Sequence, residues 1–311
     1  DLGGEPSFLE EARLKRTSAQ LPAGRHITTS SSGLETGVPR IYTPDAKKTD
    51  NRSAFGSALA DIGKLNYKKE GDTPLLVFDC DLAGSVKTGE FASLCPEWFI
   101  QTGIQEHATA TVAGAASTAG VAALWADFGV FGLSETYNQQ RLNDINKANL
   151  KTVLTHVGLD VGEDGMTHQA IDYVGLLRNT FGWKLAVPCD PNQSDRATRW
   201  AIKEPGCVCL AMGRSKLDVL TSAKGAPLFG EGYEFRYGKA ELVCEGNDGA
   251  LFALGAMTGR ALKAAQMLKE KGITVSVYAV SSPLLPDDDA LRAAAATGRI
   301  MTCEDHCVAS G

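Results

Sequence analysis

From Asp50 onward, apolar positions along the chain switch repeatedly between two periods. Phe55, Leu59, Ile62 and Leu65 fall at helical spacing, with Asp50 placed as a cap. Leu75 to Asp79 is an apolar run and predicts a buried strand, and Phe99 to Gln101 a short one. Gln105 to Thr118 is rich in Ala and other small residues, which predicts a tightly packed, buried helix. Val121 to Trp125 predicts the next strand. Glu135 to Lys147 reads as an amphipathic helix, capped by Ser134, with Tyr137, Leu142 and Ile145 inward. Strands over Thr152 to Val157, Lys184 to Val187 and Cys207 to Met212 alternate with helices over Ala170 to Phe181 and from a Ser194 cap to Lys203.

Strands alternating with helices predict an α/β fold, a parallel sheet covered on both faces. Residues 213–238 carry Gly, Pro and turn residues and read as a linker. Beyond it a second α/β unit follows: strands over Leu242 to Cys244, Ala250 to Leu254, Ile273 to Val280 and Arg299 to Thr302, helices over Thr258 to Lys271 and Asp287 to Ala295. Ahead of the first unit, Ser7 opens a capping-box pattern for a short helix to Arg16, and Thr17 to Thr49 reads as extended. The expected organisation is a linker over 1–49, a first domain over 50–218 and a second, incomplete one over 219–311. The chain starts on Asp and stops in a loop after a strand, which reads as part of a longer protein.

Composition narrows the function classes. The chain has 311 residues, 43% hydrophobic and 22% charged, with a net charge of −6. No Lys/Arg cluster stands out, so neither nucleic acid nor an anionic membrane is expected as a partner. No apolar run is long enough for a transmembrane span, and no secretory signal is visible. Eight cysteines without a CxxC pair suit reduced, mostly buried thiols and a cytoplasmic setting. Cys303, His306 and Cys307 lack a second ligand pair, so no metal site is assigned. There is no GxGxxG after a strand, no Walker A sequence and no GxSxG elbow.

In parallel sheets ligands sit beyond the carboxyl ends of the strands. Four polar clusters fall there: Asp79 to Asp81 with Ser85, Gln105 to His107, Asp127 with Phe128, and His156 through His168. Taken alone, Glu106 is an acid favourable to a helix dipole. In a buried helix, however, that carboxylate needs a partner, and a ligand sharing its proton would serve. The loop Gly162 to Gln169 packs two acids, a His and a Gln into a glycine-flanked turn.

These segments resemble transketolases. GIQEHA (103–108) is similar to their GIREHA signature, and GEDGMTHQ (162–169) to GEDGPTHQ. WADFGVFGLSETYNQ (125–139) is similar to the aromatic segment that holds the thiamine pyrimidine ring, and PCDPNQ and LAMGRS also fit in order. The resemblance implies thiamine diphosphate with Mg2+ as cofactor. Glu106 would hydrogen-bond N1′ of the aminopyrimidine and so promote loss of the thiazolium C2 proton. The cofactor would serve as electron sink while a carbon–carbon bond of a ketose phosphate breaks. Phe128 and Phe131 would pack on the pyrimidine, and Asp81 would lie near the thiazolium. Asp164 would read a donor hydroxyl and His168 contact substrate oxygens. Arg52, Ser85, His156 and Arg214 would grip the sugar phosphate. Met166 in place of the usual Pro, Gln105 in place of Arg, and Ser134 where some members carry an aromatic are departures bearing on substrate preference.

The family's GDG…N motif, which holds the diphosphate through a divalent metal, does not occur in the sequence. The resemblance places that motif, and several substrate-binding histidines, in a preceding domain, with the site shared between subunits of a homodimer. The expected activity is transfer of a two-carbon ketol unit between sugar phosphates in the pentose phosphate pathway, by the full-length enzyme. A deoxyxylulose-phosphate synthase or the β subunit of a 2-oxo acid dehydrogenase is the alternative within the superfamily. A non-catalytic or split subunit that completes a partner's site is the alternative of another class.

Overall fold

The computed structural model describes residues 33–45, 49–69 and 74–311. The helix expected from Ser7 to Arg16 lies outside the described residues.

The first unit opens with the helix Asn51–Asn66. Asp50 caps it as expected, its Oδ1 accepting from Ser53 N at 2.9 Å. Six strands follow: β1 (Leu75–Asp79), β2 (Phe99–Gln101), β3 (Ala122–Phe128), β4 (Leu150–Thr155), β5 (Lys184–Ala186) and β6 (Val208–Ala211). They form one parallel sheet in the order β2-β1-β3-β4-β6-β5. Every residue of β3, β4 and β6 is buried, because helices cover both faces. The helices Asn51–Asn66 and Pro191–Lys203 pack together on one side, and Glu106–Thr118 and Tyr137–Ile145 on the other. Phe55, Phe78, Phe91 and Trp125 are fully buried, each worth roughly 1.5–3 kcal/mol relative to exposure.

Several local expectations are corrected. Ser134 caps no helix: Val130–Glu135 forms a wide π-helical turn, and Ser134 Oγ donates to Asp172 Oδ1 at 3.0 Å. The helix after it, Tyr137–Ile145, turns Gln140 and Asn143 inward and leaves Leu142 and Ile145 exposed. The polar pair faces in because it satisfies backbone carbonyls: Gln140 donates to Gly132 O and Asn143 to Ala110 O, both at 3.0 Å. Ser194 lies inside its helix, which starts at Pro191 with Asp190 as cap. The helix expected from Ala170 to Phe181 shrinks to Tyr173–Arg178, since the N–H groups of Phe181 and Gly182 leave it to donate to Asp144 Oδ2. Glu106–Thr118 is half buried only. Ala110, Ala113 and Gly114 face the core while Ala108, Val112 and Ala115 are exposed.

Residues 213–238 are packed without forming a helix or strand. Phe229 and Phe235 are buried, and Arg196 of the Pro191–Lys203 helix donates to Gly230 O at 2.6 Å and Tyr233 O at 3.2 Å. The second unit is a mixed sheet, β10-β8-β9-β7, formed by β7 (Ala240–Cys244), β8 (Gly249–Leu254), β9 (Val275–Val280) and β10 (Ile300–Cys303), with β7 antiparallel to β9. Helices Met257–Lys269 and Asp288–Ala295 cover it. Backbone bonds tie the two units: Val187 N to Ser281 O and Cys307 N to Ile171 O, both 2.8 Å. His306 joins this contact, Nε2 accepting from Val174 N at 3.1 Å and Nδ1 lying 3.1 Å from Cys307 O. Both ring nitrogens are therefore engaged with backbone, which leaves neither for a metal with Cys303 and Cys307. None of the eight cysteines is disulfide-bonded. Among the described residues no helix is long and apolar enough to cross a membrane.

Candidate active site

The chain leaves β1 toward β2 on one side and returns to place β3 on the other. The crevice beyond β1 and β3 is thus the switch point of the sheet, where such folds bind ligands. Three chemical groups meet there. Cys80 follows β1, Asp127 lies near the end of β3, and Glu106 opens the helix Glu106–Thr118. One ligand atom from each lies within 4.8 Å of the others. Glu106 is half-buried, whereas Asp127 is fully buried. Asp127 Oδ1 accepts from the N–H of Phe128 at 2.7 Å; among the described residues Oδ2 has no hydrogen-bond partner of ordinary geometry, and the Cys80 thiol interacts with the carboxyl. Burial, with the charges of Glu106 and Asp79 adding to it, pushes the Asp127 carboxyl up to about 7. The Cys80 thiol donates to Thr109 Oγ1 at 3.4 Å, and burial pushes it up as well.

An aromatic wall adjoins this group. Phe128 and Phe131 lie 6.2 Å apart between ring centroids at 21°. The Phe128 ring sits 3.8 Å from the His156 ring, and His168 approaches Phe131 edge-on at 5.2 Å. The π-helical turn, widened by one residue, carries Phe131 beside Phe128.

Arg52, one residue into the first helix, reaches across the sheet's end. Its Nη1 lies 3.0 Å from Ser85 O and 3.2 Å from His156 Nε2, and its Nη2 donates to Arg214 O at 3.0 Å. Asp50 Oδ1 is 3.4 Å from Nε. His156 has a left-handed backbone (φ 58°), which turns its ring back over Phe128. Burial, then the cations of Arg52 and Arg214, lower its pKa to about 3, so the ring is neutral. The head of Arg214 turns into the 162–169 loop. Nη1 donates to Val161 O at 2.5 Å, Nη2 pairs with Glu163 at 2.7 Å, and Asp164 stands 3.9 Å away.

The sequence-predicted residues therefore gather in part. Phe128, Phe131, His156 and His168 form one cluster, and Arg52, Ser85, His156 and Arg214 another, joined through His156. Ser85 takes part through its carbonyl. Asp81 is exposed in a left-handed turn (φ 65°), its N–H held by Gln101 Oε1. Asp164 is exposed, and Met166 beside it is 87% exposed. Asp127 falls in one of the polar clusters of the sequence, where no role is assigned to it. Its signal is an acid closing the otherwise apolar strand AALWADF. A separate cavity of about 500 Å³ lies between the two units, bordered by Gly158, Pro188, Leu217, Arg260 and Lys263, away from Glu106.

The fold and site define an α/β protein with a ligand crevice at the sheet's switch point, walled by aromatic rings and carrying an acid pair and a guanidinium–imidazole group. The chain belongs to the transketolase family: the family model of the transketolase pyrimidine binding domain matches residues 47–219, and that of the transketolase C-terminal domain matches 238–311. It is 28% identical over 261 residues to a protein of Methanocaldococcus jannaschii described as a transketolase C-terminal section, covering 84% of this chain and 78% of that one. It is 29% identical over 258 residues to one of the subunits of an apulose-4-phosphate transketolase of Phocaeicola vulgatus, covering 82% and 78%. A 1-deoxy-D-xylulose-5-phosphate synthase of Geobacter sulfurreducens is 31% identical over 259 residues, which is 83% of this chain and 38% of the synthase. Among solved structures, a split gene transketolase described as an inactive beta4 tetramer superposes with a TM-score of 0.73 at 31% identity, covering 85% of this chain and 82% of that one.

Proposed function

We propose that this chain carries the pyrimidine side of a thiamine-diphosphate-dependent ketol-transferase site acting on sugar phosphates, completed by a second protein surface. The observation that carries the proposal is the half-open Glu106 carboxyl at the switch point, beside the stacked Phe128 and Phe131. A flat heterocycle fits such a wall, and the carboxyl beside it suits a ring nitrogen.

Thiamine diphosphate, when bound, supplies an electron sink for breaking a carbon–carbon bond. Glu106 holds a proton at pyrimidine N1′. Phe128 and Phe131 orient the ring and exclude water, and Asp81 borders the thiazolium. Arg52 and neutral His156, with Ser85 and Arg214, receive the sugar phosphate, and Asp164 and His168 meet substrate hydroxyls. The group at Glu106 does not suit the diphosphate's Mg2+, which favours a full shell of oxygen ligands over a buried thiol. The metal and diphosphate contacts thus belong on the complementary half.

The site's openness supports that division. Glu106 is half exposed, and Ile104 and Val112 near it are 77% and 53% exposed. Relatives of similar length are described as a C-terminal section and as one subunit of a transketolase. The chain alone is expected to bind thiamine diphosphate weakly, and micromolar affinity in calorimetry with magnesium would contradict the divided site. The reaction is tested by assembling the chain with its complementary half and offering a ketose phosphate with an aldose phosphate acceptor. Ketol transfer supports the proposal. Consumption of pyruvate instead supports the deoxyxylulose-phosphate synthase reading, which the Geobacter sulfurreducens relative favours.

A further inference from the structure

The cavity of about 500 Å³ between the two units sits where the topology of the second sheet leads a ligand. β9 lies on one side of β8 and β10 on the other, both parallel to it. The crevice beyond the carboxyl end of β8 is thus a second switch point. Leu254 at the end of β8, Met257 beyond it and Asp305 beyond β10 all border the cavity. Gly158 and Asp160 of the first unit and the segment 215–221 complete the wall. A crevice of this size at a domain boundary is of the kind that holds a small organic molecule.

Donors gather at one end. The helix Met257–Lys269 starts there, with no side-chain cap and no acid in its first turn. Its first N–H groups lack intrahelical partners and carry partial positive charge. Arg260 and Lys263, three residues apart, share the face that borders the cavity. Among the described residues Arg260 makes no hydrogen bond or ion pair, and it acts on Asp305 and Cys303 through its charge alone. Lys263 has Asp218 at 3.7 Å, with both side chains exposed. Tyr173, only 3% exposed, also borders the cavity, and among the described residues its hydroxyl makes no hydrogen bond. Burial raises its pKa, so the hydroxyl stays a donor. The two acids contributed by the loops are held by backbone. Asp160 accepts from Arg214 N at 3.2 Å and Ser215 N at 3.0 Å, and Asp305 from Leu159 N at 3.0 Å.

We propose that this cavity is a second ligand site, for a small organic phosphate monoester, with the phosphate at the start of the helix Met257–Lys269 beside Arg260 and Lys263. A tetrahedral dianion engages backbone N–H groups, a guanidinium and an ammonium at once. The organic part lies along Leu220, Leu254 and Leu262, which also border the cavity, with the Tyr173 hydroxyl as a donor to it. The site is separate from the group proposed to receive the sugar phosphate, because the Arg214 guanidinium turns away to Val161 O and Glu163. It stands on the geometry of the second unit and is independent of the thiamine diphosphate reading.

The test is a nitrogen-15 NMR titration of the deuterated full chain with glycerol 3-phosphate at constant ionic strength, following the amides of Gly259 and Arg260. Wild type should show saturable shifts at both, with an apparent Kd at or below about 1 mM. Arg260→Ser should weaken this binding roughly 10-fold or more, the scale of a lost charge-assisted hydrogen bond. If Arg260→Ser fails to fold, Lys263→Ser serves, with a loss in the same direction. Arg214→Ala should leave the shifts at Gly259 and Arg260 in place, which separates this cavity from the sugar-phosphate group. Shifts that do not saturate, or that sodium chloride alone reproduces, overturn the proposal. So does a titration that Arg260→Ser and Lys263→Ser leave unchanged, or one that Arg214→Ala abolishes.

Discussion

Arg52 Nη1 and His156 Nε2 stand 3.2 Å apart, buried, with Thr155 Oγ1 2.7 Å from the other ring nitrogen. A guanidinium only donates, so Nε2 is the acceptor and Nδ1 carries the proton toward Thr155. The pair joins the aromatic cluster to the group of Arg52, Ser85 and Arg214 proposed to receive the sugar phosphate, and its chemistry requires a neutral imidazole.

That requirement sets a pH dependence. The His156 pKa lies near 3 in the folded chain, against the ordinary 6.5 of an unfolded chain. Between these values the unfolded chain binds a proton that the folded chain does not, so stability falls as pH drops from 6.5 toward 3. Thermal melts of wild type and His156→Asn across this window should diverge. The wild-type melting temperature should fall the more steeply, and parallel curves would contradict a buried neutral His156.

Arg214 is held by Glu163, an exposed partner. An ion pair this exposed is screened by solvent and contributes little, so Glu163→Gln should hardly change stability. It should lower KM for the sugar phosphate by freeing the guanidinium. Arg214→Ala should raise that KM roughly 10-fold or more, the scale of a charge-assisted hydrogen bond. Steady-state kinetics at fixed ionic strength check both.

Phe128 and Phe131 should separate in their effects. Phe128 is 8% exposed and part of the core, so Phe128→Ala should cost about 3–5 kcal/mol in urea denaturation. Phe131 is only partly buried at the edge of that core. Phe131→Ala should cost less than Phe128→Ala and weaken cofactor binding by the assembled enzyme, read by calorimetry.

Gly114 is where the Glu106 helix meets its neighbour. A Cβ there would collide with the amide of Asn143, a buried side chain bonded to Ala110 O. Gly114→Ala should destabilise by roughly 1–3 kcal/mol in spite of its better helix propensity. A stabilised variant in chemical denaturation would contradict this packing.

Much of the fold follows from patterns that local physics enforces. Asp50 caps its helix because a carboxylate at that position meets free N–H groups, and LLVFD and AALWADF are too apolar to lie anywhere but inside a sheet. What escapes the sequence depends on long-range partners. Gln140 and Asn143 point inward because carbonyls of Gly132 and Ala110 await them, which periodicity of apolar residues does not register. Ser194 looks like a cap, yet Asp190 followed by Pro191 starts the helix earlier. At the site, motif spacing leads to Glu106, Phe128 and His156. The burial expected of Glu106 falls on Asp127 instead, since the Glu106 helix has one open face.

The role proposed for Glu106 is that of the activating carboxyl of a thiamine-diphosphate site. The most direct measurement is ketol transfer by the chain assembled with its complementary half, comparing wild type with Glu106→Ala under saturating cofactor and verified folding. The predicted result is a loss of at least about 100-fold in turnover, the scale of a removed proton-transfer group. Near-normal turnover by Glu106→Ala would contradict it.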